Sequence, residues 1–185
     1  MKLIATDLPG CLVFEPRIFE DARGTFYETF NLDRLGEHGL TVEFRQGNVS
    51  RSNRGVIRGL HYQWPTPQGK LVSVIRGEIL DVAVDIRRGS PTFGRAATVL
   101  LSEDNRRQMW IPEGFAHGFA ALSQQAVVAY LCTQTYDPAA EATICWDDPQ
   151  LAIDWPISNP TLSAKDAAAP LLSDMDPERL PVYRQ

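Results

Sequence analysis

Apolar and polar positions alternate with a period of two over most of the chain, in short runs cut by glycine and proline. Residues 11–18 alternate and end near Pro16, which predicts an edge strand, since proline has no N–H for a ladder. A turn at Asp21-Ala22-Arg23-Gly24 leads to a strand over 25–30, where Phe26 and Tyr27 favour extended backbone. Residues 31–38 predict one short helix, with Asn31 as N-cap and Gly39 just past its end. Further strands are expected over 43–50, 56–63, 70–75, 79–86, 96–101, 108–111, 116–122 and 126–133. Polar or proline-rich connections separate them, notably 51–55, 64–69 and 87–94. In 79–86 the alternation sets Asp81 and Asp85 on the face opposite Leu80, Val82, Val84 and Ile86.

About ten short strands with almost no helical periodicity indicate an all-β protein, a sandwich or barrel, and a jelly roll of the cupin kind is the natural candidate. No repeat or low-complexity linker divides the chain, so residues 1–185 read as a single domain. The tail from about 147 onward is rich in Pro, Asp and Ser. It is expected to wrap on the body with short helices near 164–168 and 177–180. Phe93, Trp110 and Trp155 read as core.

Composition narrows the class. With 44% hydrophobic and 22% charged residues, the chain is an ordinary soluble globular protein. Its net charge of -5 argues against a nucleic-acid partner while leaving room for a local basic pocket. Cys11, Cys132 and Cys145 form no CxxC pair, so neither a zinc knuckle nor a disulfide framework is indicated, and a reducing cytoplasm fits best. Residues 1–12 do not read as a signal peptide, and no stretch approaches the ~20 apolar residues of a membrane span.

Candidate chemistry centres on Arg58-Gly59-Leu60-His61-Tyr62-Gln63 and Gly69-Lys70-Leu71-Val72. An imidazole exchanges a proton near neutral pH, and a nearby ammonium steadies an oxyanion. His61 and Lys70 could together remove a proton next to a carbonyl and hold the enolate. Each residue also has a plainer reading. A lone histidine is more often a structural hydrogen-bonding group, Lys70 an exposed lysine at a strand start, and Tyr130 a core tyrosine. Asp166 alone reads equally well as a first-turn carboxylate, and His117 as a strand-end residue bonded to backbone.

Several motifs in fixed order carry more weight. They are Asp21-Ala22-Arg23-Gly24 with Phe26 and Glu28, then Gln46 and Asn48, Arg58-Gly59-Leu60-His61 and Gly69-Lys70-Leu71-Val72. Gly77-Glu78, Asp81-Val82-Ala83-Val84-Asp85, Ser90-Pro91-Thr92-Phe93-Gly94 and Trp110 through Phe119 follow, then Asp154-Trp155-Pro156 and Leu162 through Asp166. In these the sequence resembles the dTDP-4-dehydrorhamnose 3,5-epimerase family, cupin-fold sugar-nucleotide epimerases of the L-rhamnose pathway, over nearly its whole length.

The resemblance implies inversion of C5 and C3 of dTDP-4-dehydro-6-deoxy-D-glucose through enolates of the C4 ketone, with no metal or redox cofactor. It also implies a homodimer that exchanges N-terminal strands. His61 would be the general base, oriented by Asp166. Tyr130 would be the acid on the opposite face, Lys70 the enolate stabiliser and His117 a polar contact to the sugar. Arg23, Arg58 and Lys165 would serve the diphosphate, and Glu28, Gln46 and Asn48 the thymine and ribose edges. Tyr136 would stack on the base, and Glu141 matches a further binding position. The sequence departs from the family at Gly47 and Val49, where an aspartate and often a histidine are usual, and at Thr135, where one of two tyrosines is replaced. That leaves open a relative inverting one carbon only, as in antibiotic-sugar pathways. The other classes are a sugar-nucleotide-binding cupin without catalysis and a metal-dependent cupin oxygenase.

Overall fold

The computed structural model describes residues 1–183. Strands β1 (Lys2–Ala5) and β2 (Leu12–Glu15) come first, then the hairpin of β3 (Ile18–Asp21) and β4 (Gly24–Tyr27) and the helix α1 (Leu32–Glu37). Next are β5 (Gln46–Asn53), β6 (Ile57–Gln63), β7 (Lys70–Arg76), β8 (Glu78–Asp85) and β9 (Ala96–Ser102). The body ends with β10 (Gln108–Ile111), β11 (Phe115–Ala121), β12 (Gln125–Cys132) and β13 (Glu141–Thr143), and the tail holds α2 (Ala164–Ala167).

Two antiparallel sheets face one another, a jelly roll of the cupin kind. One runs β1-β2-β10-β7-β12-β5 and the other β13-β6-β11-β8-β9, with β3-β4 a separate ribbon. Alternation explains the packing, because each strand sends every second residue inward. Val72, Val74, Met109, Ile111 and Val128 of the first sheet meet Ile79, Ala83, Leu101, Phe115 and Phe119 of the second. The outer face of the second sheet is covered by the tail, where Leu151, Leu172 and Leu180 pack on Leu60, Val82, Val84 and Ala116. On the outside of the first sheet, Leu35 of α1 and the nearby Leu40 cover Phe14, Leu71 and Trp110.

The tail is pinned at its end. Arg88 N–H donates to Pro181 O at 2.7 Å and Tyr183 N–H to Arg88 O at 3.0 Å. The Arg87 guanidinium lies between the Phe115 and Tyr183 rings, 4.3 and 5.0 Å from their centroids. The same guanidinium forks onto buried Asp85, which also accepts from Ser90 and Thr92. Among the described residues no helix is long and apolar enough to cross a membrane.

Several expectations are corrected. The strand expected at an edge over 11–18 is interior, because β1, which the pattern does not announce, pairs outside it. β5 runs on through residues 51–53, expected as loop, because β12 offers partners as far as Gln125. β13 is likewise an addition. β8 has no solvent face: Asp81 and Asp85 alternate with Ile79 and Ala83 on the face that meets the first sheet, while the tail covers Val82, Val84 and Ile86. The second tail helix is a single 3-10 turn at Pro177–Arg179.

Candidate active site

The site lies where β6, β11 and β13 of the second sheet open towards β5, β7 and β12 of the first. His61 on β6 and His117 on β11 are direct cross-strand partners. Two glycines allow these strands to approach. Gly59 has φ +125°, and a Cβ there would stand 2.5 Å from Gly118 Cα. A Cβ on Gly118 would stand 2.7 Å from Arg58 O. Only hydrogen fits at either position.

His61 Nε2 lies 2.6 Å from Asp166 Oδ1. Asp166 belongs to α2, whose Ser163 cap accepts its backbone N–H at 3.1 Å. Burial pushes the Asp166 carboxyl upward, but its hydrogen bond with His61, joined by that from Ser163 and the charge of Lys165, outweighs it and leaves it below the usual range. An ionised carboxylate only accepts hydrogen bonds, so His61 Nε2–H donates to it and Nδ1 keeps a free lone pair. The imidazole and the carboxylate it bonds thus come from segments 105 residues apart.

Lys70 and Tyr130 rise from the facing sheet. Lys70 is not an exposed strand-start lysine: it is 9% exposed, and burial lowers its pKa against the opposing effect of Cys132, Asp81 and Glu141. Burial raises the pKa of the half-buried Tyr130 phenol, with Cys132 adding to the effect, so the hydroxyl stays protonated at neutral pH. His61, Lys70 and Tyr130 line two adjoining cavities. The outer one, about 240 Å³, adds Gln46, Asn48, Tyr62, Gln63, Gln68, Tyr136 and Glu141. The inner one, about 160 Å³, adds Ser50, Arg58, His117 and Phe119.

The outer rim is cross-braced. Gln46 Oε1 accepts Tyr136 N–H at 2.7 Å, and Gln46 Nε2–H donates to Asn48 Oδ1 at 2.9 Å. Glu141 accepts from Tyr136 Oη at 2.9 Å and from Lys165 Nζ at 2.7 Å. Burial raises the Glu141 carboxyl, but these two bonds outweigh it and hold it low. In the inner cavity, Arg58 Nε–H donates to Ser52 Oγ at 3.0 Å and His117 Nε2 meets Asp81 Oδ1 at 2.7 Å. Among the described residues no group of three His, Cys, Asp or Glu side chains could hold a metal ion.

Of the thirteen residues singled out from sequence, eleven surround this cleft and two do not. Arg23 and Glu28 lie on or beside the β3–β4 ribbon. Arg23 pairs with its neighbour Asp21 at 2.6 Å, and Glu28 with Arg34 at 3.1 Å. Sequence reasoning passed over Gln63, whose Nε2 donates to Thr66 O at 2.9 Å and whose Oε1 accepts Asp137 N–H at 2.9 Å. These bonds brace the loop bearing Tyr136. A glutamine at the end of an apolar strand was the available signal.

The family model described as dTDP-4-dehydrorhamnose 3,5-epimerase matches residues 5–174. A relative of that name from Pseudomonas aeruginosa is 51% identical over 178 residues, covering 95% of this chain and 98% of its own. A dTDP-6-deoxy-D-glucose-3,5-epimerase from Legionella pneumophila, solved with dTDP-4-keto-L-rhamnose, superposes with a TM-score of 0.97. It is 54% identical, and the match covers 100% of this chain and 99% of that one. A 4-keto-6-deoxy sugar epimerase from the novobiocin cluster of Streptomyces spheroides gives a TM-score of 0.94 at 41% identity, covering 99% and 94%.

Proposed function

This chain belongs to the dTDP-4-dehydrorhamnose 3,5-epimerase family, and we propose that its His61–Asp166 pair, Lys70 and Tyr130 carry out that reaction. It is an isomerase that converts dTDP-4-dehydro-6-deoxy-D-glucose to dTDP-4-dehydro-L-rhamnose by inverting C5 and C3. The observation that carries the assignment of roles is the placement of His61 on one sheet and Lys70 and Tyr130 on the facing sheet, around one cleft.

The chemistry follows from that placement. His61 Nδ1 takes the proton at C5, and the electron pair moves into the C4 carbonyl. The Lys70 ammonium donates to the enolate oxygen where its charge develops. Tyr130 returns a proton from the opposite wall, which inverts the carbon. The cycle repeats at C3, and both side chains re-equilibrate with solvent between steps. Substrate and product are isomers, so no electrons are exchanged with any other species.

The outer rim takes the nucleotide. Tyr136, half exposed at the mouth, offers a ring to the base, while Gln46 and Asn48 offer amide edges. Arg58 and Lys165 supply charge for the diphosphate. Arg23 and Glu28 are assigned to a partner's cleft in a two-fold homodimer. The exposed Phe19 and Phe26 of the same ribbon and the unpaired edge of β5 support this. Three unpaired cysteines support a reducing, cytoplasmic setting.

The double epimerase is preferred over a one-carbon relative because Gly47 and Val49 line an apolar groove with Phe30, Leu71 and Ile75, which shares Asn48 and Tyr130 with the cleft but not His61, Lys70 or His117. These two departures therefore leave His61, Lys70 and His117 untouched. The test is to mix the protein with dTDP-4-dehydro-6-deoxy-D-glucose and read the ring couplings of the product by proton NMR. The L-configured 4-ketosugar is expected; a product inverted at one carbon would overturn the double assignment.

A further inference from the structure

A second histidine–aspartate pair lies behind the first, and the reaction as described above does not use its acid. Asp81, on the interior strand β8, is 0% exposed. Its Oδ1 lies 2.7 Å from His117 Nε2, and its Oδ2 is buried without a hydrogen-bond partner among the described residues. A buried carboxylate with one free oxygen is costly unless something compensates it. Strand register explains the contact: on β8 and β11 Asp81 faces Phe119 and Ala83 faces His117, which sets Asp81 diagonal to the imidazole. His117 in turn lines the inner cavity with His61, Lys70 and Tyr130.

We propose that Asp81 is a positioning residue, which holds His117 with Nε2–H inward and Nδ1 as a hydrogen-bond acceptor for a sugar hydroxyl, and which serves as the fixed counter-charge to the Lys70 ammonium. The inference rests on the epimerase reading of the same cleft. The tautomer follows from the acceptor character of a carboxylate. Burial lowers the His117 pKa despite Asp81, and Lys70 and His61 add to that effect, so the ring is neutral and its Nδ1 accepts.

The counter-charge matters because Lys70 is deeply buried. The groups acting on it come from three packed strands: Cys132 on β12, Asp81 on β8 and Glu141 on β13. Cys132 is pushed upward by burial and stays a neutral thiol at pH 7. Glu141 already accepts from Lys165 and Tyr136. His117 on β11 and His61 on β6 contribute no negative charge. Behind Asp81, Cys11 is pushed up to about 12 and is neutral. Asp81 is therefore the carboxylate without another cationic partner that favours the Lys70 ammonium.

The test compares the pH profile of kcat for wild type and Asp81→Asn, an isosteric change that removes the charge. Wild type loses activity on the alkaline side as Lys70 deprotonates. In Asp81→Asn that limb should move to lower pH by about one unit, as expected for removing one nearby opposite charge. The affinity for dTDP alone should be unchanged, because the nucleotide contacts lie at the outer rim. A purely structural role would weaken both without moving the limb. An active wild type beside an Asp81→Asn variant with an unshifted limb overturns the inference, whereas an inactive wild type overturns the epimerase reading instead. The wild-type protein gives a second check that needs no variant. Imidazole 15N spectra should place His117, as well as His61, in the Nε2–H tautomer with Nδ1 bare at pH 7. A protonated His117, or one carrying its proton on Nδ1, would also overturn it.

Discussion

At the scale of single residues, the cleft works by setting the protonation states of its groups apart. Asp166 is held ionised by His61, Tyr130 is held protonated by burial, and Lys70 is a buried ammonium whose charge is lost earlier than that of an exposed lysine. Two outcomes follow. Asp166→Asn removes the orientation of the base and should lower kcat by roughly 10²- to 10⁴-fold with little change in KM, measured by steady-state kinetics. In the proposed mechanism the active form of Lys70 is the charged one, so activity should be present below its folded pKa and lost as pH rises through it. Since burial lowers that value, the alkaline limb of kcat should fall below the ordinary lysine range. Lys70→Arg, which keeps its charge, should flatten the limb while reducing the rate. The residue types were legible in the sequence: His61, Lys70, Tyr130 and Asp166 stand in motifs. Their environments were not. Nothing in the alternation of β8 shows that Asp81 is buried, because both faces of the strand are covered: the first sheet lies over the face of Ile79, Asp81 and Ala83, and the tail over that of Val82 and Val84.

At the scale of elements, pairing between β6 and β11 sets the site. Gly59 and Gly118 let two backbones meet at distances that leave no space for a methyl group. Gly118→Ala should force them apart and shift His61 and His117 together. A urea midpoint lowered by at least ~1 kcal/mol of stability, with a loss of activity larger than that shift explains, is the expected result. The strands themselves were mostly readable from period-two alternation and from glycine and proline breaks. β1 and β13 were not. Each is only three or four residues long and owes its extended form to a neighbour, β2 for one and β6 for the other. The alternation of 11–18 looked like an edge for the same reason, since a strand's neighbours are not written in its own residues.

At the scale of the molecule, the chain closes its site with its tail. Leu172 and Leu180 pack on the second sheet and Arg87 grips Tyr183, and ahead of these anchors in the chain α2 brings Asp166 to His61. Leu172→Ala should cost about 2–5 kcal/mol. It should also loosen the tail enough to lower kcat beyond the stability loss, which proteolysis of the tail and kinetics would show together. The sign of the pH effect follows from Asp166. Its folded pKa lies below the ordinary value of ~3.9, so it stabilises the fold above that value and the contribution is lost as pH falls through the folded one. The wrapped tail was expected from composition. Its function was not legible without the family motif, because a carboxylate in a short helix looks the same whether or not an imidazole waits across the fold. Arg23 and Glu28 mark the other limit, since within this chain they pair with Asp21 and Arg34 on or beside the ribbon and not at the cleft.

The most direct test is exchange in deuterated water with dTDP-4-dehydro-6-deoxy-D-glucose, followed at C3 and C5 by proton NMR for wild type, His61→Ala and Tyr130→Phe. Deuterium entering at both carbons with wild type, abolished in His61→Ala and retained without inversion at C5 in Tyr130→Phe, is the result predicted. Exchange at one carbon only, or none at either while the nucleotide still binds, would contradict it.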